Sequence, residues 1–362
     1  MDHELMERRR LRVLLVLALF ACAVLLAALI PSPFAIERPG PVVDTLGEVQ
    51  LEDGSTGPVI AVEDTELFET EGELNLLTVS ILGDPEHPQS WLSLLPAIFD
   101  PAQRVAPVTE FYPEGVTLEQ RQDQNAAYMD SSQQQAAAAA FRWLGEPVDV
   151  ELSVAGVIPD GPSDGVLEEG DVLLTVDGEP IADFGELRSR IGAAGEGGRI
   201  AVGFEHDGDR REATLEPRVP QGGGEPLIGA TIASQYDLPH EVDISLTEIG
   251  GPSAGLAFAM GLVEKLTPGS MLGDLTVSAT GTITDEGEVG AIGGLTQKMW
   301  AADRAESDLF LMPLGNCDDL PRQRPDGLRI APVANLGEAV AAVEAAAAGK
   351  EPAGVERCDI DG

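Results

Sequence analysis

Hydrophobic and polar positions alternate in several distinct ways along the chain, and each pattern predicts an element. Val13 to Ile30 is an unbroken run of eighteen residues without a charge, long enough to span a bilayer as a helix. Leu74 to Ile81 alternates as a strand does, and Gln124 to Trp143, with its glutamines and the block Ala136 to Ala140, is dense in helix formers. That block resembles low complexity, but its composition suits a packed helix. From Val154 to Pro217 the pattern predicts a turn, a strand, an Asp177-Gly178 hairpin turn and a second strand. A short helix capped by Asp183 and a closing strand at Ile200 to Glu205 follow. Gly222, Gly223 and Gly224 mark a flexible junction. Val242, Ile244 and Leu246 then alternate with Asp243, Ser245 and Thr247 as a strand running into Gly250. The segment Ala254 to Val263 is apolar on every side, which predicts a helix inside a core. Strands at Leu309 to Met312 and Leu328 to Val333 precede a helix at Leu336 to Ala348. Strands interleaved with helices indicate an α/β or α+β architecture. The acidic last dozen residues, punctuated by Gly and Pro, are expected to be loosely ordered.

Charge changes the picture in two places. Arg8, Arg9, Arg10 and Arg12 precede the apolar run, so the positive-inside rule leaves the N-terminus cytoplasmic and the rest of the chain outside the membrane. A cleaved signal peptide is the competing reading, since Ala21-Cys22-Ala23 offers small residues to a peptidase; an uncleaved anchor is favoured. The net charge of -40 over 362 residues repels phosphate backbones and argues against nucleic-acid binding. Cys317 and Cys358 would meet an oxidising compartment, either as a disulfide or as two free thiols. No CxxC or HExxH occurs, so neither a metal nor another cofactor is implied.

The candidate chemistry centres on Ser253, in Gly250-Gly251-Pro252-Ser253-Ala254-Gly255, and on Lys298, in Gly293-Gly294-Leu295-Thr296-Gln297-Lys298. A serine hydroxyl needs a neighbouring base to attack an amide, and the chain has only four histidines. Ser253 opens a buried helix, where backbone N–H groups and the helix dipole favour an oxyanion. Pro252 has no N–H, so such donors must come from Ser253 onward or from another segment. Only three lysines accompany nineteen arginines. Lys298 shares a helical stripe with Leu295, Met299 and Ala302, which sets its amine against an apolar face. Desolvation there would lower its pKa towards that of a base, although a lysine at a helix edge can instead snorkel to water. His240, thirteen positions before Ser253, is a weaker candidate base at the opening of a strand.

The run GGPSAGLAFAMGLVEKLTPGSMLGDLTVSATGTITDEGEVGAIGGLTQKMWAADRA, residues 250 to 305, closely resembles the proteolytic domain of Lon-type proteases. The resemblance implies that Ser253 is the nucleophile, Lys298 its general base, and Thr280 the hydroxyl that orients the lysine. Gly250-Gly251 stands where ATP-dependent Lon proteins usually have an aspartate and a glycine, which puts gating by an acidic residue in doubt. No G-x-x-x-x-G-K-[ST] occurs and an ATPase module has no room, so the chain resembles ATP-independent, membrane-anchored Lon-like proteases. Substrates would be unfolded or flexible proteins and peptides outside the cytoplasmic membrane, and the family implies a homo-oligomer, a hexameric ring.

The segment Gly156 to Ile181, with Glu169-Gly170-Asp171-Val172-Leu173-Leu174-Thr175-Val176-Asp177-Gly178, resembles a PDZ domain of exported bacterial proteases. Such domains capture extended peptides at a sheet edge; a steric or structural role is the alternative. The carboxylate-binding loop is expected before Val154. The whole is thus expected to be an α+β chain with an N-terminal transmembrane helix. A β-barrel-like PDZ module would be inserted in, or precede, a Lon-type α/β proteolytic domain. Residues 1–12 would be cytoplasmic, 13–30 the membrane helix, 40–145 the front of the protease domain, 150–219 the PDZ domain, 225–350 the proteolytic domain and 351–362 a tail. The alternative from another class is a non-catalytic anchored scaffold, with a peptide-binding PDZ and an oligomerising Lon-like domain.

Overall fold

The computed structural model describes residues 2–51, 54–113, 115, 117–220, 223–246, 250–352 and 358, with the side chains of residues 2–10 left aside. The chain divides into two compact units. One comprises Met1–Val62, Glu66–Ala136 and Val242–Gly362, and the other Glu63–Thr65 and Ala137–Glu241.

The first unit begins with the helix Asp2–Leu29. Its stretch Leu11–Leu29 is long and apolar enough to cross a membrane, and its side chains are exposed, as a span or a signal sequence would both require. A six-stranded mixed sheet follows, in the spatial order Ile330–Val333, Leu309–Pro313, Thr276–Ala279, Glu73–Leu82, Phe34–Asp44 and Arg104–Pro107. The first four run parallel, and the last two close the sheet antiparallel. Leu309–Pro313 and Ile330–Val333 are buried throughout, the continuous apolar character of parallel strands covered on both faces.

Helix Gly255–Leu266 packs on Glu73–Leu82, Thr276–Ala279 and the helix Leu336–Ala347. Gly255 to Glu264 are all buried, as apolarity on every side predicts. Glu264, the one carboxylate among them, is satisfied by Ser270 Oγ at 2.7 Å and the Met271 N–H at 3.0 Å. Helix Leu295–Arg304 packs on Phe34–Asp44 and Glu73–Leu82, with Met299 and Ala302 against Leu77, Phe310 and Met312. Cys317 and Cys358 form a disulfide, which decides between the two readings of these thiols. Residues 353–357 and 359–362 of the expected tail lie outside the described residues.

The second unit is an antiparallel sheet in the order Asp209–Leu215, Ile200–His206, Val172–Val176, Asp149–Val157 and Ala230–Asp237, with Glu179–Pro180 paired to Val172–Val176. Helix Phe184–Ala194 is capped by Asp183, whose carboxylate accepts the Glu186 N–H at 2.7 Å. Leu187 and Ile191 reach from this helix into a core with Leu152, Val154, Leu173, Val202 and Phe204.

The structure carries this unit beyond residue 219. Ala230–Asp237 pairs with Asp149–Val157 along its length, and the unit ends at Glu241. The expected strand into Gly250 is the short Val242–Ile244, paired with Ile60–Val62, while Thr247 lies outside the described residues. The helix expected from Gln124 begins earlier, at Leu118, and runs to Trp143. Its Ala136 to Ala140 are buried, so the alanine block is packed core.

Candidate active site

Ser253 lies on a 3₁₀ turn, Pro252–Ala254, that runs directly into helix Gly255–Leu266. The turn is entered through Gly251, whose φ of 101° and ψ of 159° suit glycine alone. It is fastened on several sides. The Gly251 N–H donates to the Asn125 carbonyl at 3.1 Å, and Ser132 Oγ donates to the Pro252 carbonyl at 3.1 Å. The Ser253 carbonyl accepts the Gly281 N–H at 3.0 Å and the Thr280 hydroxyl at 3.2 Å.

Lys298 comes from helix Leu295–Arg304, which starts at Gly294 in the left-handed conformation, φ 68°. A side chain at Gly294 would collide with Val79, so this glycine serves both the turn and the close approach. Lys298 is only 2% exposed, which rules out snorkelling. Its Nζ stands 2.7 Å from Ser253 Oγ and 3.0 Å from Thr280 Oγ1. Thr280 is fully buried at the end of strand Thr276–Ala279, and Ala279 is the last residue of that strand to pair with its neighbours. The structure thus brings together the three side chains singled out in the sequence, from a turn, a strand end and a helix.

Burial pushes the Lys298 amine down from 10.5 to about 7, against an opposing pull from the Glu37 carboxylate. His240 lies elsewhere, its Nε2 3.5 Å from Glu146 Oε2 and its ring against Phe141, within the second unit.

A cleft of about 560 Å³ opens on Ser253 and Lys298. Its walls include Val43, Val79, Ile81, Phe111, Met129 and Leu246. Along one side run Thr78 to Ile81. Strand Glu73–Leu82 pairs with Thr276–Ala279 only over Glu73 to Leu76, so beyond this point its pairing among the described residues is with Phe34–Asp44 alone. The strand that would have covered this edge ends where it delivers Thr280 to Lys298.

Sequence reading missed Glu37, Arg104 and Ser132. Glu37 is buried in the cleft wall and bonded to Arg104 Nε at 2.5 Å. Ser132 supports the turn from helix Leu118–Trp143. The Glu37–Arg104 pair and the Ser132 contact with Pro252 join residues 67 and 120 positions apart, and nothing local distinguishes them.

In the second unit, an apolar groove of about 370 Å³ lies between helix Phe184–Ala194 and the segment Leu227 to Ile232. It is bordered by Phe184, Leu187, Ile191, Leu227, Ile228 and Ile232. The strand on its border, Ala230–Asp237, has a single partner strand among the described residues. The loop before that strand carries Gly229 at φ 73°.

Residues 240–345 match the family of the Lon protease (S16) C-terminal proteolytic domain, and residues 115–216 match the PDZ domain family. The Lon protease of Rhizobium meliloti is 38% identical over 117 residues, 32% of this chain and 14% of that protein. Lon protease 1 of Herpetosiphon aurantiacus is 34% identical over 131 residues, 35% of this chain and 16% of that protein. This chain therefore spans a small fraction of these relatives. Among solved structures, the PDZ domain of an SdrC-like protein from Listeria monocytogenes is 24% identical, covering 22% of this chain and 85% of that one, with a TM-score of 0.21. A Lon-type proteolytic domain and a PDZ domain are both present in the chain.

Proposed function

We propose that this chain, carrying a Lon-type proteolytic domain, is a serine endopeptidase in which Lys298 activates Ser253 and which works without ATP. The observation that carries the reading is the 2.7 Å approach of a buried lysine amine to the Ser253 hydroxyl. With its pKa near 7, a large share of the amine is neutral at physiological pH. The neutral amine has one lone pair, and Ser253 Oγ–H donates to it. An amine N–H then donates to Thr280 Oγ1, and the Thr280 hydroxyl donates to the Ser253 carbonyl. Each hydrogen in this chain has one acceptor, so Thr280 fixes the direction in which the lone pair points.

Attack of Ser253 Oγ on a peptide carbonyl transfers its proton to Lys298, which passes it to the leaving amine. Water activated by the same amine then releases the acyl group. Because Pro252 has no N–H, donors for the oxyanion would come from backbone N–H groups from Ser253 onward or from another segment. The half-paired segment Thr78 to Ile81 suits an extended substrate, which would add as a strand along it.

Unfolded or flexible proteins fit this mode. The N-terminal apolar helix supports a membrane anchor with the enzyme outside the cytoplasm, and the family resemblance supports a ring of identical subunits. The second unit's groove supports capture of extended segments at the Ala230–Asp237 edge. The deciding assay is degradation of an unfolded protein such as casein by the full chain, without nucleotide. Wild type should cleave, and Ser253→Ala and Lys298→Ala should not; equal cleavage by all three would end the proposal.

A further inference from the structure

The proposed mechanism leaves one buried ion pair in the cleft wall without a role. Glu37 and Arg104 face each other directly across the antiparallel strands Phe34–Asp44 and Arg104–Pro107. Arg104 Nε donates to Glu37 Oε2, and Arg104 Nη1 donates to Glu110 Oε1 at 2.7 Å. The guanidinium lies over the Phe111 ring, 5.4 Å from its centroid. The two partners differ in surroundings: the Glu37 side chain is 8% exposed, whereas that of Arg104 is 46% exposed. Glu37 therefore presents a negative charge to the interior and Arg104 covers it from the solvent side.

The carboxylate sits beside the start of the lysine helix. A Cβ added at Gly294 would lie 3.3 Å from Glu37 Oε1, and Gly294 is one turn before Lys298. Of the charged side chains that line the cleft, Glu37 and Arg121 accompany Lys298; Arg121 stands over the Tyr112 ring. Helix Leu118–Trp143 thus offers Arg121, strand Phe34–Asp44 offers Glu37, and Glu73–Leu82 lines the cleft with uncharged residues from Leu76 to Ile81. Glu37 is the one anion among the described cleft residues, and it favours the protonated, non-basic form of the lysine.

We propose that Arg104 is a positioning residue of the peptidase site, pairing with Glu37 so that the carboxylate is held away from Lys298 and its charge offset, which keeps the lysine available as a base near neutral pH. This rests on the reading of Lys298 as the base. Without Arg104, the buried carboxylate loses the cation paired with it and acts on Lys298 without that offset; an opposite charge close by raises a lysine pKa by about 1 to 3 units.

The test is the pH dependence of peptide hydrolysis by the full chain, in parallel with the pH dependence of Lys298 acylation by an amine reagent, read by mass spectrometry. Arg104→Leu should move both midpoints upward by about one unit. Arg104→Lys, which keeps the charge, should move them much less. Glu37→Gln should move them downward, and the double variant Glu37→Gln/Arg104→Leu should lie at or below wild type, because no unpaired charge is left behind. Midpoints unchanged in Arg104→Leu, or raised equally in the double variant, would overturn the proposal. Should the wild type show no Ser253-dependent hydrolysis, the peptidase reading fails. The acylation midpoints still report whether the pair controls the lysine.

Discussion

Replacing Lys298 by methionine should abolish hydrolysis and make the protein more stable at neutral pH. The amine is depressed from 10.5 to about 7 because folding removes it from water. At about 1.4 kcal/mol per unit, this difference amounts to roughly 5 kcal/mol of destabilisation. The sign follows from proton uptake. Between about pH 10.5 and 7 the unfolded chain holds a proton on this lysine that the folded chain does not, so stability falls as pH falls through this window. Below about 7 both states are protonated and the penalty is constant. Methionine has similar length and no charge to desolvate. Against the gain stand the bonds to Ser253 Oγ and Thr280 Oγ1, about 1 kcal/mol each. A net gain of about 2 to 3 kcal/mol at pH 7 is expected, shrinking to nothing or reversing by pH 10.5. Urea denaturation of the full chain in detergent would measure it, followed by tryptophan fluorescence, with Trp300 two positions from the substitution. A variant no more stable than wild type at pH 7, or a gain that is the same at both pH values, would refute the account of a lysine held neutral by burial.

Three further outcomes follow from other parts of the molecule. Gly251→Ala meets nothing within 4 Å, so its effect isolates the backbone conformation at φ 101°; a cost of about 1 to 3 kcal/mol in stability is expected, together with a kcat lowered at least as much as KM is raised. Cys317→Ser opens a covalent loop spanning 41 residues, and its chemical-denaturation midpoint should correspond to a loss of up to about 4 kcal/mol; wild type in strong reductant should match it. Leu227→Glu places a charge in the apolar groove at a position already 46% exposed, so the fold should persist. It should slow degradation of unfolded proteins several-fold while leaving cleavage of a short peptide unchanged, and equal loss on both would remove the groove from substrate capture.

How much of the site was legible depended on whether the information was local. Ser253 and Lys298 stand in a run of 46 residues with glycines at the turns, and the resemblance to Lon-type domains added Thr280 between them; the helical stripe of Leu295, Met299 and Ala302 left an inward or a snorkelling Lys298 open, and the fold decides it by burying the side chain. The buried helix after Ser253 and the Asp183 cap were legible for the same reason, since periodicity and capping act within a few residues. Glu37, by contrast, is an acidic residue in an ordinary strand, and its significance arises only because Arg104 pairs with it from an adjacent strand and Gly294 brings the lysine helix beside it. Ser132 is one polar residue in a glutamine- and alanine-rich helix; only the fold places it under the Pro252 carbonyl.

The limits of the second unit show why chain order misleads at domain edges. The familiar segment, ending near the closing strands at residues 200–215, has alternating apolar residues and turn glycines that make it look complete. Yet Asp149–Val157 would then be an open edge, with Val150 and Val157 at the margin of the core. The chain closes that edge with Ala230–Asp237, reached through a glycine-rich connection whose composition, taken alone, reads as a linker. Burial alternates strictly along this strand, so one row of side chains joins the unit while the other faces out. A strand of this kind carries a weak sequence signal because only half of its residues need be apolar, and Ser234 on the inward row dilutes even that. The edge beside the groove is formed by the segment immediately preceding Val242–Ile244 in sequence, and the Ser253 turn follows a few residues later. A peptide adding to this edge would therefore bind the part of the second unit that is closest along the chain to the nucleophile.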